Sequence, residues 1–217
     1  NQHRVDREHL PWIIDDIKKL GKGRKYDCVI GLSGGVDSSY ALHVLREHNV
    51  RVFSYTIDNG WNTQIADENV MRLVEGMKVP FYRHTINRDM FRELQKAFIL
   101  SGVPNIEIPS DHIITSVAWK IAREHGVKTI VSGGNWQTES IMPEAFGYSA
   151  HDLYHIKKIY KRFTEKRLSG LPTTSLLQYL WYRCVKKIRI VNLLDYTDYN
   201  REREKKRLAE LYGWKDY

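Results

Sequence analysis

The sequence is poor in the features that mark secreted, disulfide-held or membrane-spanning proteins. Its 217 residues include only two cysteines, Cys28 and Cys184. Two such distant thiols make neither a disulfide framework nor a metal-ligand spacing. That usage fits a reducing compartment, and a cytoplasmic protein is expected. No apolar run is long enough to span a bilayer, so no integral membrane segment is expected. No secretory leader is visible, and because the chain opens on Asn1 rather than Met, a trimmed N-terminus is expected. Internal repeats and low-complexity tracts are absent. So is the G-x-x-x-x-G-K-[ST] spacing, which excludes a Walker A loop.

What is present is an ordinary globular composition, 42% hydrophobic and 28% charged, with a net charge of +8. The length suits one α/β domain with a sizeable core and a small helical appendage. The positive charge suits nucleic acid, an anionic membrane or anionic small molecules, and equally a solvated basic face.

Hydrophobic spacing predicts a helix over 9–20, with Pro11 in its first turn and Gly21 and Gly23 beyond its end. Strands are predicted over 26–32, 50–57, 79–84 and 127–132. Helices are predicted over 38–48, 65–77, 88–100 and 113–125, with a loop over 102–110. This alternation implies an α/β fold, a parallel sheet with helices on both faces and right-handed crossovers. After Gly133 the pattern shifts to helical segments rich in Lys, Arg and Tyr, over 152–167, 175–187 and 200–212. Residues 188–191 read as a last strand or an extended connector. The expected division is an N-terminal helix and linker (1–25), an α/β domain (26–150) and a C-terminal helical extension (151–217).

The strongest local signal is Ser33-Gly34-Gly35-Val36-Asp37-Ser38-Ser39, between the first predicted strand and a helix. A helix N-terminus offers unpaired N–H groups to an anion. Gly34 and Gly35 let the backbone approach it, and Ser33, Ser38 and Ser39 offer hydroxyls. Asp37 suits such a place if it holds Mg²⁺ against the phosphates. An N-capped glycine turn is the simpler alternative. Leu32, at the strand end, borders the same place. The loop resembles the Ser-Gly-Gly-x-Asp-Ser signature of PP-loop ATP pyrophosphatases. That resemblance implies an adenine-nucleotide α-hydrolase-like, Rossmann-like fold, with ATP split between its α- and β-phosphates and Asp37 and Ser38 in catalytic positions.

Other segments flank the loop. Ile57 and Asp58 are placed to border the adenosine, and Asn59, Trp61 and Asn62 to meet nucleotide or substrate; Asp58-Asn59-Gly60 also fits a plain turn. Gly134 allows close backbone approach. Asn135 and Thr138 are candidate substrate contacts, and Glu139 a candidate second Mg²⁺ ligand or a cap. Asp111 and His112 are expected at the rim of the cleft, although Ser110 or Asp111 also fits an N-cap.

Together with Gly102-Val103-Pro104 and Tyr212-Gly213-Trp214, these stretches resemble the N-acetyl sugar amidotransferase family, which makes acetamidino sugars for lipopolysaccharide, O-antigen and related surface glycans. The resemblance implies a nucleotide-linked N-acetyl sugar (a UDP-sugar, for example) as substrate and ammonia from a separate glutaminase subunit. Neither nucleic acid nor a membrane segment is implied, and a homo-oligomer is compatible with it. The family's cysteine-rich leading segment has no counterpart here, so zinc is assigned to none of these residues. Lys157, Lys158, Lys161, Arg162, Lys166 and Arg167 suit an acidic sugar nucleotide or plain solvent. The alternatives are a PP-loop enzyme that modifies tRNA by thiolation or lysine ligation, and a non-catalytic adenine-nucleotide-binding module.

Overall fold

The computed structural model describes residues 9–134 and 149–217. Helix α1 (Leu10–Gly21) leads into β1 (Cys28–Gly31), α2 (Val36–Glu47), β2 (Val52–Asp58), α3 (Gln64–Met77), β3 (Phe81–Thr85), α4 (Arg88–Ser101), α5 (Ile108–Glu124) and β4 (Thr129–Ser132). Then come α6 (Leu153–Thr164), α7 (Leu176–Leu180) with a π turn over Trp181–Val185, β5 (Arg189–Asn192), a 3₁₀ turn over Leu193–Tyr196 and α8 (Arg201–Tyr212).

The five strands form one sheet in the order β3-β2-β1-β4-β5. Every pairing is parallel. Residues alternate sides along a strand, so a strand covered on both faces is apolar throughout. Strand β1 obeys this. Val29 enters the core formed with Phe91, Phe98, Trp119 and Tyr160, under α4, α5 and α6. Cys28 and Ile30 enter the opposite core, with Leu42 and Leu45 of α2, Leu73 of α3 and Leu208 of α8. Helices therefore cover both faces, as the alternation predicts. Residues 188–191 resolve in favour of a strand: β5 extends the sheet beside β4, and α8 packs on α2 and α3.

Helix α5 starts five residues before its predicted start. Pro109 lies in its first turn, where a missing N–H breaks no helical bond. Ser110 and Asp111 are therefore helical residues, and the N-cap position belongs to Glu107. The predicted helix over 175–187 is divided into α7 and the π turn. Ser175 and Gln178 form a capping box at its start.

Trp119 is fully buried. Its ring stacks on Tyr182 at 5.6 Å and meets Tyr179 edge-on at 5.9 Å, tying α5 to the segment before β5. Trp119→Ala should destabilise the fold by about 3–5 kcal/mol, the usual loss for a buried aromatic. A urea titration followed by circular dichroism reads this directly.

Candidate functional site

The C-terminal ends of β1, β2 and β4 open into a cleft of about 460 Å³. That volume suits a small molecule. The cleft lies where the strand order reverses, between β1 and β4, the usual ligand position in open α/β sheets. Leu32, Ser33, Asp37 and Ser38 line one end. Ile57, Asn59 and Asn62 come from β2 and its turn, and Ser132, Gly133 and Gly134 from β4. Ile114, Thr115 and Ala118 of α5 form the opposite wall.

Glycine is demanded at two places around the loop. Gly34 has φ +83°, and a Cβ there would lie 2.3 Å from the backbone oxygen of Ala66 in α3. At Gly133 a Cβ would lie 2.7 Å from the backbone N and Cα of Ser38. The β4 loop thus packs directly on the first turn of α2. Gly35 differs: its φ of −73° is ordinary, and it is the N-cap of α2 with no side chain to cap the helix. Its N–H donates to Ser33 Oγ at 3.3 Å. Ser38 Oγ lies 3.2 Å from Ser33 Oγ and accepts the Ser33 N–H at 3.2 Å. Ser39 is fully buried and donates its hydroxyl to Gly35 O at 2.6 Å. Its hydroxyl thus braces the loop through the Gly35 carbonyl.

Asp37 lies in the first turn of α2, where the helix dipole favours a carboxylate. Tyr199 donates its hydroxyl to Asp37 Oδ1. Burial first, then the Asp37 hydrogen bond and charge, push the Tyr199 hydroxyl far above its usual range, so it remains a donor. A carboxylate in the first turn of a helix beside a glycine turn fits Mg²⁺, which commonly takes one or two carboxylates and completes its shell with other oxygen ligands and water. Among the described residues no group of three or more His, Cys, Asp or Glu side chains gathers for a metal. Asp37 is the one carboxylate that the described residues place in the cleft lining.

The Asp58 turn has the simpler role. Arg88 Nη2 donates to Asp58 Oδ2 at 2.5 Å, and Gly60 N–H to Asp58 Oδ1 at 3.2 Å. The Arg88 hydrogen bond, aided by the Gly60 amide, holds the Asp58 carboxyl below its usual range. Asp58 is outside the cleft lining, as are Gly34, Gly35, Ser39, Trp61, Asp111 and His112. Trp61 is exposed at the turn. Asn62 donates to Ile57 O at 3.3 Å and Asp67 Oδ1 at 3.2 Å, so it closes the turn as well as lining the cleft. Asp111 is exposed, one helical turn before Ile114 and Thr115 on the same side of α5. Asn135, Thr138 and Glu139 lie outside the described residues.

His112 is not at the rim. It is 3% exposed, with Nδ1 2.6 Å from Ala150 O and Nε2 accepting the Thr174 N–H at 3.2 Å. Those partners specify the neutral ring with its proton on Nδ1. The ring ties α5 to residues 150 and 174.

Several site residues were not anticipated. Thr115, Ala118 and Ile190 line the cleft but carry no motif. Asn69, Tyr199 and Trp214 touch the loop from behind. Only Trp214 had a signal, the Tyr-Gly-Trp stretch, and that stretch suggested no role.

No family model matches the chain. An uncharacterised protein of Methanocaldococcus jannaschii is 30% identical over 128 residues, 58% of this chain and 44% of that protein. The chain thus spans less than half the length of the curated relative it matches. Among solved structures, the U34-tRNA thiolase NcsA from Methanococcus maripaludis, with its [4Fe-4S] cluster, superposes with a TM-score of 0.53 at 14% identity. The match covers 97% of this chain and 67% of that one. The glutamine-dependent NAD⁺ synthetase from Acinetobacter baumannii, in complex with ADP, gives a TM-score of 0.50 at 18% identity over 95% and 43% of the two chains. The chain therefore shares the adenine-nucleotide α-hydrolase-like fold of these two structures.

Two outcomes follow from the geometry. Burial lowers the His112 pKa below its ordinary value near 6.5. A base whose folded pKa is depressed contributes stability above its unfolded pKa and loses it as pH falls through the folded value. Urea stability should therefore fall from pH 7 towards pH 5, and His112→Leu should flatten that slope. Gly133→Ala should drive a methyl group into the backbone of Ser38 and destabilise the fold by about 1–3 kcal/mol, read by a urea titration.

Proposed function

We propose that the chain is an ATP-dependent, AMP-forming C–N ligase that converts the acetamido group of a nucleotide-linked N-acetyl sugar to an acetamidino group with ammonia. One observation carries the nucleotide half: Ser33, Asp37 and Ser38 meet at one end of a cleft at the strand-order reversal. The amide half rests on the family resemblance and on the neutral wall of Ile114, Thr115 and Ala118. An uncharged wall suits a neutral acetamide and NH₃ better than a charged group. The fold shared with a glutamine-dependent NAD⁺ synthetase is in keeping with an amidating ligase.

The α2 N-terminus and the Ser33 and Ser38 hydroxyls receive the phosphates. The acetamido oxygen attacks the α-phosphorus, the bond to the bridging oxygen breaks, and pyrophosphate leaves. Ammonia adds to the imidoyl carbon. The carbon–oxygen bond then breaks, AMP departs carrying the former acetamido oxygen, and nitrogen loses a proton to give the amidine. Asp37, with Glu139 proposed as a second ligand, would hold Mg²⁺, whose charge would offset that of departing pyrophosphate. Asn59, Asn135 and Thr138 are proposed sugar contacts.

Neither cysteine lines the cleft. Cys28 is fully buried in β1, and burial raises its thiol pKa; Cys184 is exposed on the π turn. A thiolate nucleophile is thus a poor fit for this cleft, which argues against a thiolating enzyme; the proposal of a separate glutaminase rests on the family resemblance. The tRNA-modifying reading draws on exposed Lys157, Lys158, Lys161 and Arg162 of α6. Tight binding of bulk tRNA on filters, weakening steeply with salt, would favour it.

The sugar reading is tested with ATP, Mg²⁺, ammonium and a panel of nucleotide-linked N-acetyl sugars labelled with heavy oxygen in the acetamido group. AMP should acquire the label, and the sugar should exchange O for NH. Unlabelled AMP, or none across the panel, would sink the sugar assignment. Asp37→Ala should lower AMP release at least about a hundredfold while the thermal melt persists; near-normal release from the folded variant removes Asp37 from its role.

A further inference from the structure

Residues distant in sequence complete the phosphate loop. Helix α8 ends at Gly213, whose φ of +67° turns the chain back. Trp214, 4% exposed, then enters the core beside Leu42, Leu73 and Leu208. Its indole Nε1–H donates to the buried Gly34 carbonyl at 2.9 Å. Asn69 holds the neighbouring residue. Its Nδ2 donates to Lys215 O at 2.7 Å, and its Oδ1 accepts the Lys215 N–H at 2.8 Å. The same Nδ2 reaches Gly34 O at 3.4 Å. Tyr212, on the last turn of α8, lies 2.9 Å from His43 Nδ1 through its hydroxyl, fixing the helix to α2.

The chemistry of a peptide plane gives this contact its meaning. The chain has no cis peptide among the described residues. In a trans peptide the C=O of one residue and the N–H of the next point in opposite directions. Pinning Gly34 O inward therefore aims the Gly35 N–H outward, to where it meets Ser33 Oγ. Tyr199 does the equivalent for the acid. Its hydroxyl takes one oxygen of Asp37 and fixes the carboxylate's rotation, while its ring packs 5.7 Å from Tyr40.

We propose that the segment from Tyr199 to Lys215 is part of the nucleotide site, a strap in which Trp214 positions the phosphate-loop amide and Tyr199 positions Asp37. This rests on the reading of Ser33–Ser39 as the phosphate-binding loop. Trp214 and Tyr199 are positioning residues: they act through Gly34 and Asp37 rather than on the nucleotide.

The test uses the full chain, with Trp214→Phe and Tyr199→Phe. The first keeps a buried ring and removes one N–H; the second removes one hydroxyl. Calorimetry compares α,β-methylene ATP, which cannot be split at that bond, with adenosine, which has no phosphates. Trp214→Phe should weaken α,β-methylene ATP roughly tenfold and leave adenosine within about twofold. Tyr199→Phe should raise the Mg²⁺ concentration for half-maximal binding roughly tenfold and leave Mg²⁺-free binding unchanged. A merely structural role would weaken both ligands equally, and that result overturns the strap, as does wild-type behaviour in both variants. If Trp214→Phe fails to fold, Tyr199→Phe decides alone. A wild-type chain that binds α,β-methylene ATP no better than adenosine removes the phosphate-loop reading and the strap with it. A wild-type chain that discriminates, with variants that discriminate equally, removes the strap only.

Discussion

A carbonyl shut away from water must find a donor or destabilise the fold. In this molecule the Gly34 carbonyl is the group on which the surrounding arrangement turns. It points inward because the residue is in the left-handed region, and it can be there only because glycine leaves room for the backbone of α3 at Ala66. Its donors come from α3 and from beyond α8. One buried oxygen therefore links the loop after β1, the helix after β2 and the segment after β5.

The sheet supplies the rest. With β1 central and the order reversing beside it, the helices after β1 and before β4 diverge and leave a cleft at their strand ends. The cleft's two sides differ in kind. One presents hydroxyls, a carboxylate and a helix N-terminus; the other presents Ile114, Thr115 and Ala118. Such a site suits a reaction with a highly charged partner on one side and a neutral one on the other.

The sheet was legible in the sequence because it is buried on both faces. Runs such as Cys28-Val29-Ile30 leave no other reading once helices follow each of them. The loop was legible because its hydroxyls, glycines and acid are consecutive. The start of α5 was not, since Pro109 reads as punctuation when judged locally and as a first-turn residue only once the helix is seen. The burial of His112 and Ser39 was not legible, because both are polar and each is taken inward by a backbone partner, Ala150 and Gly35 respectively. The roles of Tyr199 and Trp214 were illegible because they depend on hydrogen bonds across 162 and 180 residues, which no spacing rule encodes.

The bond between Trp214 and Gly34 closes a span of 180 residues. During synthesis, β1 to β4 and most of their helices leave the ribosome long before Trp214 is translated. Until then the Gly34 carbonyl lacks its indole donor, and β4 presents an open edge where β5 will pair. Closing so long a loop adds an entropic barrier that local helix formation does not face. The loop after β1 thus gains its last buried partner long after the strand that precedes it has been made.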